Sequence, residues 1–145
     1  QSVARIGQAV TEWVAPAVAL AIHEKQIDEH GGLHGIRDLP SLESCLLRPQ
    51  ILVAYGYPAP DIAALAACYA HGIARRHAFL DGNKRTSSVV TRTFLNLNGY
   101  DYAASADEAT RLEIWKHLGD GSMSEESLAE WMRANIIKRG REWFL

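Results

Sequence analysis

The chain holds 145 residues, 48% of them hydrophobic and 22% charged, with a formal net charge of -2 and a pI near 6.3. These values fit one globular domain with a single core and exclude both a disordered chain and a protein built to coat nucleic acid. Charges and histidines interrupt every apolar run before it reaches the ~20 residues a membrane span needs.

Residues 1–10 (QSVARIGQAV) carry little pattern and begin with Gln1 rather than Met, so they are expected as a tail ahead of a domain over 11–145. Pro16 suits a first helical position, and Val18, Ile22 and Ile27 supply an apolar stripe that Gly31-Gly32 ends. A turn-rich stretch, GGLHGIRDLP, follows. Pro40 then opens a short helix through Leu42, Leu46 and Leu47 that should stop before Pro49. That leaves 49–60, with Tyr55, Gly56, Tyr57, Pro58 and Pro60, as an ordered surface loop.

Pro60-Asp61 starts a long helix with Ile62, Leu65, Ala66, Tyr69 and Ile73 on one buried face. A fourth helix is predicted over 83–98, around Val89, Val90, Phe94 and Leu97, closed by Gly99. Ser105 and Glu108 read as a capping box for a fifth helix through Leu112, Ile114, Trp115 and Leu118. Ser124, with Glu125 and Glu126, begins a sixth through Leu128, Trp131, Met132 and Ile136. No alternating strand pattern, internal repeat or linker interrupts this order. The expectation is an all-α, single-domain protein of about six helices.

The two cysteines, Cys45 and Cys68, sit inside apolar helical segments and read as small buried hydrophobes rather than a disulfide. No charged-then-apolar signal opens the chain, so a reducing cytoplasm is the expected compartment.

Between the third and fourth helices lies His77-Ala78-Phe79-Leu80-Asp81-Gly82-Asn83-Lys84-Arg85, the densest gathering of chemistry in the chain. It supplies a proton acceptor, an oxygen ligand for Mg²⁺ and donors for phosphate, the parts a phosphoryl- or nucleotidyl-transfer site requires. A helix N-terminus offers unpaired N–H groups and the positive end of the helix dipole, and Gly82 permits the backbone to form such an anion nest. Lys84 and Arg85 stand in the first turn, where the dipole disfavours cations; that misfit makes sense beside a bound anion. Asp81 reads equally as a magnesium ligand or as an N-terminal cap, and His77 as a proton acceptor or a structural histidine. Phe79 reads as a core plug.

These residues, with Thr86 following, resemble the signature of the Fic/Doc family in its Doc form. The resemblance extends to GGLHGIRDLPSLESCLLRPQ at 31–50 and to Phe94-Leu95-Asn96-Leu97-Asn98-Gly99-Tyr100, covering about residues 14–138. It implies a small helical Fic fold that binds a nucleotide in front of the motif helix. His77 would deprotonate a target hydroxyl, Asp81 would hold Mg²⁺, and Asn83 and Arg85 would contact the phosphates of ATP. Most Fic proteins transfer AMP and carry glycine where this chain has Lys84. Doc-type members carry lysine there and pass the terminal phosphate of ATP to a threonine of elongation factor Tu, arresting translation. The resemblance therefore implies a Ser/Thr protein kinase, with AMP transfer as the alternative. Ala78 replaces the usual Fic proline, and Gly82 stands where the best-known Doc toxin has alanine.

Many Fic proteins restrain themselves with an inhibitory helix marked Ser/Thr-x-x-x-Glu-Gly/Asn. Ser122 and Glu126 have that spacing, but Ser127 follows. The resemblance thus implies inhibition by a separate Phd-type antitoxin whose flexible C-terminal segment folds on binding, expected near the basic site and the 49–60 loop.

Competing readings stay bland. His30 and His34 flank a glycine turn without a second pair at metal spacing, while His23, His71 and His117 are expected as structural or surface residues. Glycine and lysine are not adjacent in Gly82–Thr86 and no strand precedes it, which removes a P-loop. Arg75, Arg76, Lys84, Arg85 and Arg92 form either a steering field for a nucleotide or a solvated face. DNA binding by a helix-turn-helix is opposed by the acidic net charge. A catalytically idle scaffold remains the non-enzymatic alternative, separable by magnesium-dependent ATP binding.

Overall fold

A computed structural model describes residues 4–6 and 9–140. In chain order the elements are β1 (Ala4–Ile6), β2 (Ala9–Thr11), α1 (Pro16–His30), α2 (Leu39–Tyr55), α3 (Ile62–Arg76), α4 (Asn83–Leu97), β3 (Tyr100–Tyr102), α5 (Glu108–Asp120), α6 (Glu125–Asn135) and β4 (Ile136–Lys138). The fold is all-α: six helices make one domain, and the strands are three-residue antiparallel pairs, β1 with β2 and β3 with β4. Of residues 1–10, expected as a tail, 1–3, 7 and 8 lie outside the described residues. No helix among the described residues is long and apolar enough to cross a membrane.

The core follows from the composition of α3. Small and apolar side chains occupy every side of it, and Ala63, Leu65, Ala66, Ala67, Cys68, Tyr69, Ala70, Ile73 and Ala74 are all buried. A helix that is apolar all round must be enclosed, and α3 packs against α2, α4, α5 and α6. Its alanines let those neighbours approach closely. Asp61 caps its start, accepting from the Ala64 N–H at 2.9 Å.

Three expectations about helix limits fail, the simplest at Ile136, which begins β4 instead of closing α6. Helix α2 does not stop before Pro49 but continues to Tyr55, so only the residues from Gly56 to Asp61 connect it to α3. An interior proline costs about 3 kcal/mol. Burial of Leu42, Cys45, Leu46 and Pro49 on one face offsets that loss, at roughly 1.5–3 kcal/mol per large side chain. The cap of α5 is Asp107, not Ser105: its carboxylate accepts from Thr110 N–H at 2.9 Å, two residues closer to the apolar run.

The face of α1 is also displaced from expectation. Val18 is exposed and Ile22 only half-buried, while Ala19, His23 and Ile27 point inward. The Ser122–Glu126 spacing straddles the start of α6, whose cap is Ser124, so those residues do not share one helix. Both cysteines are free thiols. Burial pushes Cys45 up, and pushes Cys68 up to about 12, which suits packing and not nucleophilic chemistry.

Candidate active site

The nonapeptide is a rigid turn held from outside. Helix α3 ends at His77, which adopts the left-handed conformation (φ 52°, ψ 45°) and turns the chain out of the helix. The next two residues, Ala78 and Phe79, are buried. The backbone of Ala78 receives the N–H groups of Arg37 and Asp38 at 2.7 and 3.0 Å, and Leu80 N–H reaches the Gly35 carbonyl at 3.1 Å. An Ile36–Phe79 bridge completes this strip. The glycine-rich segment before α2 is thus a splint for the motif.

From the other side, the Asn83 amide closes a ring on Phe79. Its Oδ1 accepts from Phe79 N–H and its Nδ2 donates to Phe79 O, both at 3.1 Å. Expected as a phosphate contact, the Asn83 side chain is in this structure occupied at both ends by the loop it belongs to. Its own backbone N–H, in the first turn of α4, remains available.

Asp81 is gripped twice. Leu33 N–H donates to Oδ2 at 2.7 Å, and the His23 ring contacts the Asp81 main-chain oxygen through Nε2 at 2.9 Å. A carbonyl oxygen only accepts, so Nε2 carries the hydrogen. Oδ1 has no protein partner among the described residues. Gly82 follows at φ 74°, a conformation that glycine adopts without penalty, and serves as the N-cap of α4 without any capping side chain. The first N–H groups of α4 therefore have no partner among the described residues, and their partial charge favours an anion.

Asp81, Gly82, Asn83, Lys84 and Arg85 line an open cleft of about 390 Å³ together with His30, Gly31 and Gly32. It shares His30, Lys84 and Arg85 with a larger groove of about 740 Å³ between α1, α4 and α5, lined also by Arg92, Arg111, Lys116 and Glu108 beside Leu112 and Trp115. The structure thus brings five of the six expected site residues around one basic cleft. The sixth, His77, is exposed at the opposite end of the loop and does not line the cleft. A reacting hydroxyl would have to lie between the two.

No group of three His, Cys, Asp or Glu side chains able to hold a metal gathers among the described residues. One carboxylate with one open oxygen suits Mg²⁺ only when phosphate oxygens and water complete the octahedron. The donor set thus fits a metal that arrives with a nucleotide, not a resident ion.

Three contributors escaped the sequence reading. His23, expected as structural or surface, is buried, but its link to the motif is not visible in the sequence: Ala19, His23 and Ile27 fall at i, i+4 and i+8, and a polar ring on such a stripe needs a partner. Leu33 acts through its backbone, which no side-chain pattern reveals. Gly119 leaves room for the Lys84 stem: a Cβ there would lie 2.6 Å from Lys84 Cδ.

The Fic/DOC family model matches residues 13–95. Among characterised relatives, "Protein kinase doc" of Escherichia phage P1 is 32% identical over 120 residues, covering 83% of this chain and 92% of that protein. "Toxin Doc" of Mycolicibacterium smegmatis is 42% identical over 100 residues, 68% of this chain and 76% of the relative.

Proposed function

The chain belongs to the Fic/DOC family, and from that premise we propose that it is a Doc-type toxin, a kinase that passes the terminal phosphate of ATP to a Ser or Thr hydroxyl of a translation factor. Elongation factor Tu is the target that family resemblance favours. The observation carrying this reading is the conjunction at one helix start: a carboxylate with an open oxygen, uncapped N–H groups and two cations, Lys84 and Arg85. Lys84, where AMP-transferring relatives have glycine, favours phosphate over AMP.

In this mechanism the triphosphate lies against the N–H groups of Gly82, Asn83 and Lys84, with Lys84 and Arg85 neutralising its charge. Asp81 Oδ1 would hold Mg²⁺, which when bound supplies charge neutralisation across the phosphates. His77 takes the proton of the acceptor hydroxyl as its oxygen bonds to the γ-phosphorus. The bond from that phosphorus to the bridging oxygen breaks, and ADP leaves. Little covalent help is needed, since such transfers run on positioning and electrostatics.

Incubation with γ-labelled ATP, magnesium and elongation factor Tu is expected to label the factor. Label arriving only from α-labelled ATP would establish AMP transfer instead, and absence of magnesium-dependent ATP binding would leave the idle scaffold.

A Phd-type antitoxin is the proposed regulator, its C-terminal segment folding over the basic groove. The exposed Tyr55 and Tyr57 stand at the far end of α2 from the motif splint, roughly 25 Å away at 1.5 Å per helical residue. A tight complex that leaves modification unimpaired would refute the groove as the inhibited site.

A further inference from the structure

We propose that His23 is a positioning residue: from the buried face of α1 it sets the plane of the Asp81–Gly82 peptide, and so aims both the Asp81 carboxylate and the Gly82 amide. The aiming has consequences for ligand binding if the phosphate-transfer reading above holds; the setting of the peptide plane stands without it.

His23 is 3% exposed, on a helix face whose other inward residues are Ala19 and Ile27. An apolar residue would serve packing there at less cost, because a buried imidazole must find a polar partner. Both of its described contacts are to the motif. Its ring lies flat on Phe79, centroids 3.8 Å apart and planes 7° from parallel, and its Nε2 reaches the Asp81 carbonyl at 2.9 Å. The stack fixes the ring plane, and the ring plane fixes the direction of the N–H. Phe79 is itself tied down by both ends of the Asn83 amide, so His23 reads its orientation from a rigid reference.

Planarity carries the effect onward. Across a trans peptide the carbonyl and the following N–H point in opposite directions. With the Asp81 carbonyl drawn to His23, the Gly82 N–H is turned away from it, and no partner for that N–H occurs among the described residues. The Gly82 backbone also rests directly on α1: a Cβ at Gly82 would lie 3.0 Å from Ile27 Cδ1 and 3.9 Å from His23 Nε2. Asp81 is then fixed at two points, the carbonyl by His23 and Oδ2 by Leu33 N–H at 2.7 Å. Oδ1 and the Gly82 N–H are left open among the described residues. A residue acting on the main chain of the metal-ligand candidate, and on no reacting atom, is a device for aim.

Two variants separate donor from ring. His23→Phe keeps the stack on Phe79 and removes the donor; His23→Gln keeps a donor at similar reach and removes the ring. Amide hydrogen exchange in the free protein is read at Leu33, whose N–H is held by Asp81, and at Leu95 in the core of α4. Binding of ATP with Mn²⁺ is measured by calorimetry. In His23→Phe the Leu33 amide should exchange at least ten-fold faster while Leu95 is unmoved, and affinity for Mn²⁺-ATP should fall at least ten-fold. His23→Gln should recover most of both. Unchanged exchange at Leu33, or a parallel rise at Leu33 and Leu95, would overturn the proposal. A wild-type protein that binds no Mn²⁺-ATP would bring down the phosphate-transfer reading, while the Leu33 exchange still decides the role of His23.

Discussion

At its C-terminal end α4 leaves little unpaired. Asn98 accepts from Glu12 N–H at 2.8 Å and donates to the Glu12 and Phe94 carbonyls, Asn96 donates to the Tyr100 carbonyl, and Arg92 forks onto both oxygens of Asp101. At its N-terminal end the same helix begins on a glycine with no capping side chain, and its cations Lys84 and Arg85 stand on the dipole's wrong end. Fifteen residues separate a terminus that spends its polar groups on the fold from one that withholds them. Helix ends are satisfied by side chains, water or ligands, and this one, left open beside a cleft, has the polarity to take an anion. Substitutions at the two ends should therefore fail in opposite ways.

The largest effect belongs to the motif loop that leads into the open end. His77→Ala should reduce target modification by about 10²–10⁴-fold, the usual worth of a positioned proton acceptor, while leaving ATP binding and the melting temperature nearly unchanged. Modification at the wild-type rate would remove His77 from the chemistry. At the closed end, Asn98→Ala removes three hydrogen bonds, two of them from the Glu12 backbone, and should cost about 2 kcal/mol in urea unfolding without altering turnover per folded molecule. Parallel losses of stability and turnover would erase the contrast.

Acid should weaken the closed end next. Burial works to raise the Asp101 carboxyl, yet the Arg92 guanidinium and the Tyr102 N–H hold it below its ordinary value. A carboxyl depressed on folding contributes stability above its unfolded pKa, about 3.9, and loses it as pH falls through the lower folded value. The unfolding midpoint of the wild type should thus drop more steeply than that of Asp101→Asn between about pH 5 and about pH 3. Superimposable profiles would show that the Arg92–Asp101 pair adds nothing. The smallest effect is expected at Gly119→Ala, where the new methyl would crowd the Lys84 stem. We expect a few-fold rise in KM for ATP with an unchanged melting temperature; an unchanged KM would show that the Lys84 stem needs no such bed.

Much of this was legible in the residues. Pro16, Asp61 and Ser124 mark helix starts that the structure keeps, because each acts on its own first turn. The motif loop is legible for the same reason, its polar residues being contiguous. What failed were inferences in which a local rule met a tertiary one. Pro49 reads as a stop until the apolar face it extends is seen to be buried on α3. Ser105 reads as a cap until Asp107, a stronger acceptor, takes the position. The Tyr100–Lys138 pairing joins residues too far apart for any periodicity to announce. In the site itself, the contacts of Asn83 and His23 could not be read ahead because their partners are main-chain atoms, which carry no signature in the alphabet of side chains.

The left-handed turn at His77 has a price for durability. A residue with a Cβ held at φ 52° gives up about 1 kcal/mol relative to glycine, so the molecule keeps an imidazole where a bare backbone would sit more easily. In thermal unfolding, His77→Gly should melt above the parent protein.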